Sequence, residues 1–334
     1  MSFSRRLNEV VSRRLPPDTR RRLGRIKRAV LDRPEPTPPI RKPRRPTATA
    51  KAPAGQTRKE TRREHVFATA ARDGVFLEIG PAHNGTLARR DGFNTRNVDY
   101  LDREGLVDKY KDFEQYDPED IEEVDYVLEA GARFSQAIDE KFDVVLASHV
   151  LEHTTSMVDF INESAALLKP RGELALIVPD HRFCFDRFRE RSSLARVIDA
   201  SLNPPSVHTV GTLADFTLNA VRHRGSGSWS PGHVGKYSRI HEFEVVQANM
   251  KKATGSEYID VHNWIFSPHH LRLLLQDLAD LGLIALRECH FHPTIGHEFF
   301  INLSMDGPGT GLTREQLMAR ADNEKRTLDK PEFA

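Results

Sequence analysis

From about residue 64 the apolar positions fall into short continuous runs that alternate with stripes at helical spacing. Residues 75–79, 142–147 and 173–178 are such runs, 95–99 is read as a further strand around Val98, and residues 157–168 carry a helical stripe that ends at Lys169-Pro170-Arg171-Gly172. Continuous apolar runs suit strands buried on both faces, and their alternation with helices predicts a parallel sheet covered on both sides. A weaker strand is expected over 124–128. Residues 185–265 break the rhythm with scattered aromatics, histidines and the stretch Arg224-Gly225-Ser226-Gly227-Ser228-Trp229, and read as an inserted cap. Beyond it, 268–281 is helical in pattern, 284–287 reads as a strand and 298–305 as a final one.

The first sixty residues follow another rule. Phe3, Leu7, Val10 and Val11 lie at helical spacing among arginines, Leu23, Ile26 and Val30 repeat the theme, and residues 34–53 are proline-rich. Residues 1–63 hold 20 Lys+Arg against 5 Asp+Glu, so the net charge of +1 conceals a basic arm beside an acidic remainder of 29 Lys+Arg against 43 Asp+Glu. The reading is a solvated, disordered arm with a short amphipathic helix, able to rest on anionic membrane through residues 1–31 or on the chain's own acidic part. The acidity of the remainder opposes tracking along nucleic acid.

Only Cys184 and Cys289 occur, which disfavours a disulfide framework or a cysteine zinc site. No apolar run reaches the length of a spanning helix, and the expected location is cytoplasmic, at most peripheral to a membrane.

Chemistry concentrates at strand ends. In Val75-Phe76-Leu77-Glu78-Ile79-Gly80-Pro81-Ala82-His83-Asn84-Gly85 an acid precedes a glycine turn and an expected helix start. Gly80 permits a sharp turn and close ligand approach, Gly85 eases helix packing, and Glu78 is expected to face the cationic end of a ligand. Twenty-one residues after Glu78, Asp99 can accept both hydroxyls of a ribose, with Asp102 as the alternative. His149-Val150-Leu151-Glu152-His153 matches the HxxEH pattern of a zinc peptidase. Its position directly after an apolar strand argues against that reading, and no metal is expected. Glu152 and His153 are read as hydrogen-bonding anchors of the loop.

The ordered set of the Glu78–Gly85 turn, Asp99, the segment 142–153 and Leu168-Lys169-Pro170-Arg171-Gly172-Glu173-Leu174 resembles the class I S-adenosylmethionine (SAM)-dependent methyltransferases. The likeness is to the group of ubiquinone-pathway and type 11-like enzymes; it spans about residues 75–180 and, more weakly, 262–305. It implies an α/β Rossmann-like, doubly wound, mostly parallel seven-stranded sheet with an antiparallel last strand. The implied organisation is arm 1–63, SAM-binding core 64–184, cap 185–265, end of the sheet 266–305 and tail 306–334.

The resemblance also implies SAM as cofactor. Its methionine end would lie near Glu78 and Gly80, with Pro81 and Gly85 completing the loop, and its ribose on Asp99. The adenine would lie near Glu129 and Ala130, with Asp125 as runner-up, and the reacting methyl near Ser148 and His149. Ala82 stands where the family usually has a glycine.

A hydroxyl acceptor needs a base, for which histidine is suited. His149 and His181 are the expected catalytic residues, with His153 and His262 as further candidates. Arg182 and Arg187 are expected either to anchor the cap through salt bridges or to receive an anionic group. The expected acceptor is a sugar or glycan hydroxyl, or another small polar molecule, with a quinone-like phenol second. The rivals are an RNA-directed methyltransferase, a non-catalytic SAM-fold binder using the arm, and an NAD-dependent oxidoreductase.

Overall fold

The computed structural model describes residues 57–112, 117–128, 132–253, 258–326 and 331–333. The amphipathic and proline-rich patterns before residue 57 lie outside the described residues, as do Glu129 and Ala130.

Seven strands form the central sheet: β1 (Phe76–Ile79), β2 (Thr95–Asp99), β3 (Tyr126–Val127), β4 (Phe142–Ser148), β5 (Leu168–Pro179), β8 (Arg287–Ile295) and β9 (Glu298–Ser304). Their order is β3-β2-β1-β4-β5-β9-β8. The first five run parallel, and β9 is antiparallel to both β5 and β8. The order reverses between β1 and β4, and in such sheets ligands bind outside the carboxyl ends of the strands at that reversal.

Both faces are buried, which is why β1, β4 and β5 read as largely apolar runs. On one face Leu77, Val145, Ala147, Leu174 and Leu176 pack against α4 (Met157–Ala166) and α8 (Pro268–Asp280). On the other, Phe76, Val144, Leu146, Ala175 and Ile177 meet Val66, Phe67 and Leu87. Ser156 caps α4 by accepting from the Asp159 amide. The first turn of α8 is capped from elsewhere: Glu324, on α9 (Arg314–Arg326), accepts from the His269 amide at 3.0 Å.

Three expectations change. The basic arm does not run to residue 63, because Thr57 opens a capping box and α1 (Arg58–Val66) docks on the core through Arg58 and Arg62. The strand expected at 284–287 is β8, beginning at Arg287, since Ile284 and Leu286 are buried in the turn before it. No helix starts at Gly85; turns and a 3-10 turn at Arg89–Asp91 follow instead.

Between β5 and α8 lie α5 (Leu194–Leu202), α6 (Val210–Asn219), β6 (Val221–His223), β7 (Lys236–Arg239) and α7 (Phe243–Ala253). The small strands join β10 (Glu332–Phe333) in a second sheet, and the glycine- and serine-rich stretch turns the chain between β6 and β7. The shorter helices α2 (Arg103–Tyr110) and α3 (Phe134–Ala137) complete the described helices. None of these helices is long and apolar enough to cross a membrane.

Candidate functional site

The turn after β1 is shaped by backbone that most residues avoid. Gly80 has φ +61° and Ala82 φ +48°, so Ala82 adopts a left-handed conformation that a glycine would take without cost. The Gly80 amide donates to the Val98 carbonyl at 2.8 Å and ties the turn to β2. Gly85 has no positive φ, and a Cβ there would make only ordinary contacts.

Glu78 does not face outward. Its Oε1 accepts from the Thr86 amide at 2.6 Å and its Oε2 from the Leu87 amide at 2.8 Å, under full burial. Burial pushes this carboxyl up, while the two amides favour its charged form. Both oxygens are engaged by amides of the loop itself, so Glu78 builds the turn.

Asp99 ends β2, buried, with Oδ1 accepting from the Tyr100 amide at 2.8 Å. Burial raises its pKa, opposed by the Tyr100 and Ala82 amides and by Lys109. Lys109, on α2, lies 4.9 Å from the Tyr100 ring and 5.1 Å from that of Tyr110. Asp102 is spent on capping α2 through the Gly105 amide, and Asp125 on Arg89 and the Asn97 amide. Asp99 therefore remains the ribose candidate, and Asp125 is a structural anchor.

At the end of β4, Ser148 is half-buried, and His149, the next residue, has φ +55°. His149 Nε2 is 2.9 Å from Glu298 Oε2, and its Nδ1 is 3.5 Å from Glu152 Oε1. Leu151–His153 form a 3-10 turn, so the HxxEH residues do not share an α-helical face and the peptidase geometry is absent.

The segment after the cap docks on this turn. The amides of Asn263 and Trp264 both donate to the Glu152 carbonyl, at 2.7 and 3.0 Å, which delivers His262 and Asp260 to the site. His153 Nδ1 is 2.7 Å from Asp260 Oδ1, and Asp260 also faces Lys109 at 3.5 Å. Burial works against a charged His153, but Asp260 and Glu152 outweigh it and raise its pKa. His262 stands edge-on to His153, ring centroids 4.6 Å apart. Its Nδ1 pairs with Asp186, and its Nε2 is 3.9 Å from Glu152 Oε1. Despite burial, His262 and Arg189 hold the Asp186 carboxyl down to about 2. Glu152 is fully buried, and neither carboxylate oxygen has a hydrogen-bond partner among the described residues.

Two clusters of described residues bring three ligand-type atoms within 4.8 Å of one another: Glu152, His153 and His262, and His149, His297 and Glu298. The second is occupied by cations, since Arg58 and Arg62 both bind Glu298. The first carries no guanidinium and can hold a divalent ion.

The remaining candidates are structural. His181 is buried, and burial lowers its pKa to about 4, a poor match for a base at neutral pH. Arg182 grips Asp180 with Nε and Nη2, as expected for an anchoring salt bridge. Arg187 is buried over Phe188 and Tyr237. Sequence reasoning placed His153 and His262 behind His149 and His181; the signal it lacked was the pairing of each ring with a carboxylate, Asp260 and Asp186.

A family model described as a methyltransferase domain matches residues 54–278. Among solved structures, mitomycin 7-O-methyltransferase MmcR is similar at 15% identity over 74% of this chain and 52% of its own, TM-score 0.34. The 1,6-didemethyltoxoflavin-N1-methyltransferase of Burkholderia thailandensis, solved with 1,6-didemethyltoxoflavin and S-adenosylhomocysteine, is similar at 14% over 73% and 76%, TM-score 0.36. A Pyrococcus horikoshii protein is similar at 14% over 75% and 92%, TM-score 0.38. The chain spans about half the length of the mitomycin enzyme, and scores this low carry no functional weight. No curated protein matches the sequence.

Proposed function

The chain belongs to the methyltransferase-domain family, SAM-dependent enzymes of class I, and from that membership we propose that it methylates a hydroxyl of a small polar acceptor, a sugar or glycan. The observation that carries the reading is the His153–Asp260 pair at the carboxyl end of β4, in a polar cluster with Glu152, His262 and Tyr258.

Asp99 and the Gly80–Gly85 turn fit the cofactor. Among the described residues no ion pair engages Asp99, so this buried carboxylate has accepting capacity for a vicinal diol. At Gly80 a Cβ would come 3.3 Å from Val150 Cγ2, so the close turn depends on glycine. Bound SAM supplies an electrophilic methyl on a sulfonium.

The protein then has to orient the acceptor and take its proton. His153 Nε2 is assigned as the base: Nδ1 lies 2.7 Å from the Asp260 carboxylate, whose charge favours the imidazolium that forms when the acceptor O–H gives up its proton. His262, fixed by Asp186, packs against that ring and keeps it in place. The polar lining favours a hydrophilic acceptor over an apolar one. His153→Ala is expected to lower methyl transfer by about 10²-fold or more while S-adenosylhomocysteine binding stays unchanged. Transfer at the wild-type rate sinks the assignment.

A second reading rests on the Glu152 carboxylate, whose oxygens accept no hydrogen bond among the described residues and which with His153 and His262 suits a divalent ion that lowers the acceptor's pKa. Transfer abolished by chelator and restored by a divalent metal selects it over the free base.

A further inference from the structure

His208, in the segment between α5 and α6, is buried to 3% exposure, and neither ring nitrogen has a hydrogen-bond partner among the described residues. A buried polar group without partners is costly unless a bound group satisfies it. The ring lies 5.3 Å from Tyr258, whose hydroxyl is 3.4 Å from Asp260 Oδ1, the same carboxylate that holds His153. His208 is thus joined through Tyr258 and Asp260 to the cluster of the proposed base. Its backbone is set just beyond by Thr209, which caps α6 through the Thr212 amide.

We propose that His208 is a specificity-determining residue that binds a pair of hydroxyls on a polyol acceptor, beside the hydroxyl that His153 deprotonates. This inference rests on the proposed O-methyl transfer and names its substrate class. Burial, with His153 as a further cationic influence, lowers the His208 pKa to about 4, so at neutral pH the ring offers one N–H and one lone pair. One hydroxyl accepts from the N–H and its neighbour donates to the other nitrogen. The Glu152 carboxylate, with no hydrogen bond to either oxygen among the described residues, adds accepting capacity to the same cluster. A polyol supplies hydroxyl donors for all of these and C–H faces for Tyr258, whereas a phenol with one or two hydroxyls leaves most of them unmet.

The test uses the full chain, SAM with a labelled methyl group, and two acceptor panels: methyl glycosides of common hexoses, and catechols. His208→Leu is expected to raise KM for the responsive glycoside at least tenfold with a smaller change in kcat and unchanged S-adenosylhomocysteine binding; His208→Asn is expected to recover part of the loss. In the wild type, adding that glycoside shifts the His208 ring resonances in nuclear magnetic resonance, a readout that stands even where His208→Leu does not fold. Glycosides that shift His208 without being methylated leave this subsite standing and overturn the His153 reading. Transfer to catechols that depends on His153 and not on His208 does the reverse. Glycosides that neither shift His208 nor accept methyl overturn the inference.

Discussion

Glu298 Oε2 lies 2.9 Å from His149 Nε2, joining the start of β9 to the residue that leaves β4. The same carboxylate binds Arg58 and Arg62 of α1 at 2.7 and 2.8 Å. Although burial opposes it, His149, Arg62 and Arg58 hold this carboxyl well below the usual range. The helix that ends the basic arm is thereby fastened to the edge of the candidate site.

Glu298→Gln is expected to destabilise the fold by about 3 kcal/mol or more, because it leaves the buried Arg62 guanidinium without its counter-charge. Denaturant unfolding of the variant checks this, and a loss below 1 kcal/mol would show the cluster to be an ordinary surface network.

Ala82→Gly should stabilise the protein by about 1 kcal/mol, since relief of the left-handed strain exceeds glycine's greater unfolded-state freedom. The expected readout is a higher denaturation midpoint with S-adenosylhomocysteine affinity retained. A lower midpoint would mean that the Ala82 methyl makes contacts worth more than the strain.

Removing the carboxylate in Asp99→Ala should cost about 2 kcal/mol of cofactor binding, roughly a 30-fold weaker Kd by calorimetry with S-adenosylhomocysteine. NAD is expected not to bind either protein, and NAD binding at Asp99 would favour the oxidoreductase alternative.

Asp260→Asn removes the interaction that raises the His153 pKa. The base must be deprotonated to act, so the acid limb of kcat/KM should move to lower pH while the plateau falls. A limb that stays in place would separate His153 from the proton transfer.

Buried and half-buried histidines contribute to the acid stability. Burial lowers His65, His181, His208 and His297 to about 4 and His270 to about 3. Unfolded, each titrates near 6.5, so as pH falls below that value the unfolded chain takes up protons that the folded one refuses. Their contribution is complete above about pH 6.5 and is lost as pH falls through the folded values. His153, shifted upward, acts in the opposite sense, and its contribution is lost as pH rises through its folded pKa. Denaturation midpoints at pH 7, 6 and 5 should fall in that order, and a flat profile would contradict the burial of these rings.

Local physics made much of the fold legible. Strands buried on both faces are mostly apolar, so β1, β4 and β5 stood out as runs, and α4 and α8 as stripes. A carboxylate at a strand tip is likewise a local feature, and Asp99 sits where its spacing placed it. The edge strand β3 has only two residues and β8 is half-exposed, so neither carries a strong apolar signature.

Partner choice was decided by the tertiary structure alone. Nothing near Glu78 in sequence says that both its oxygens will be taken by the amides of Thr86 and Leu87, or that Asp102 will cap a helix. His153 gains its character from Asp260 and His262 from Asp186, residues 107 and 76 positions away. Glu324 likewise reaches across 55 positions to cap α8. A side chain's identity limits the hydrogen bonds it can make, but which one it makes depends on the groups that chain closure brings within 3 Å, and spacing along the sequence does not encode that distance.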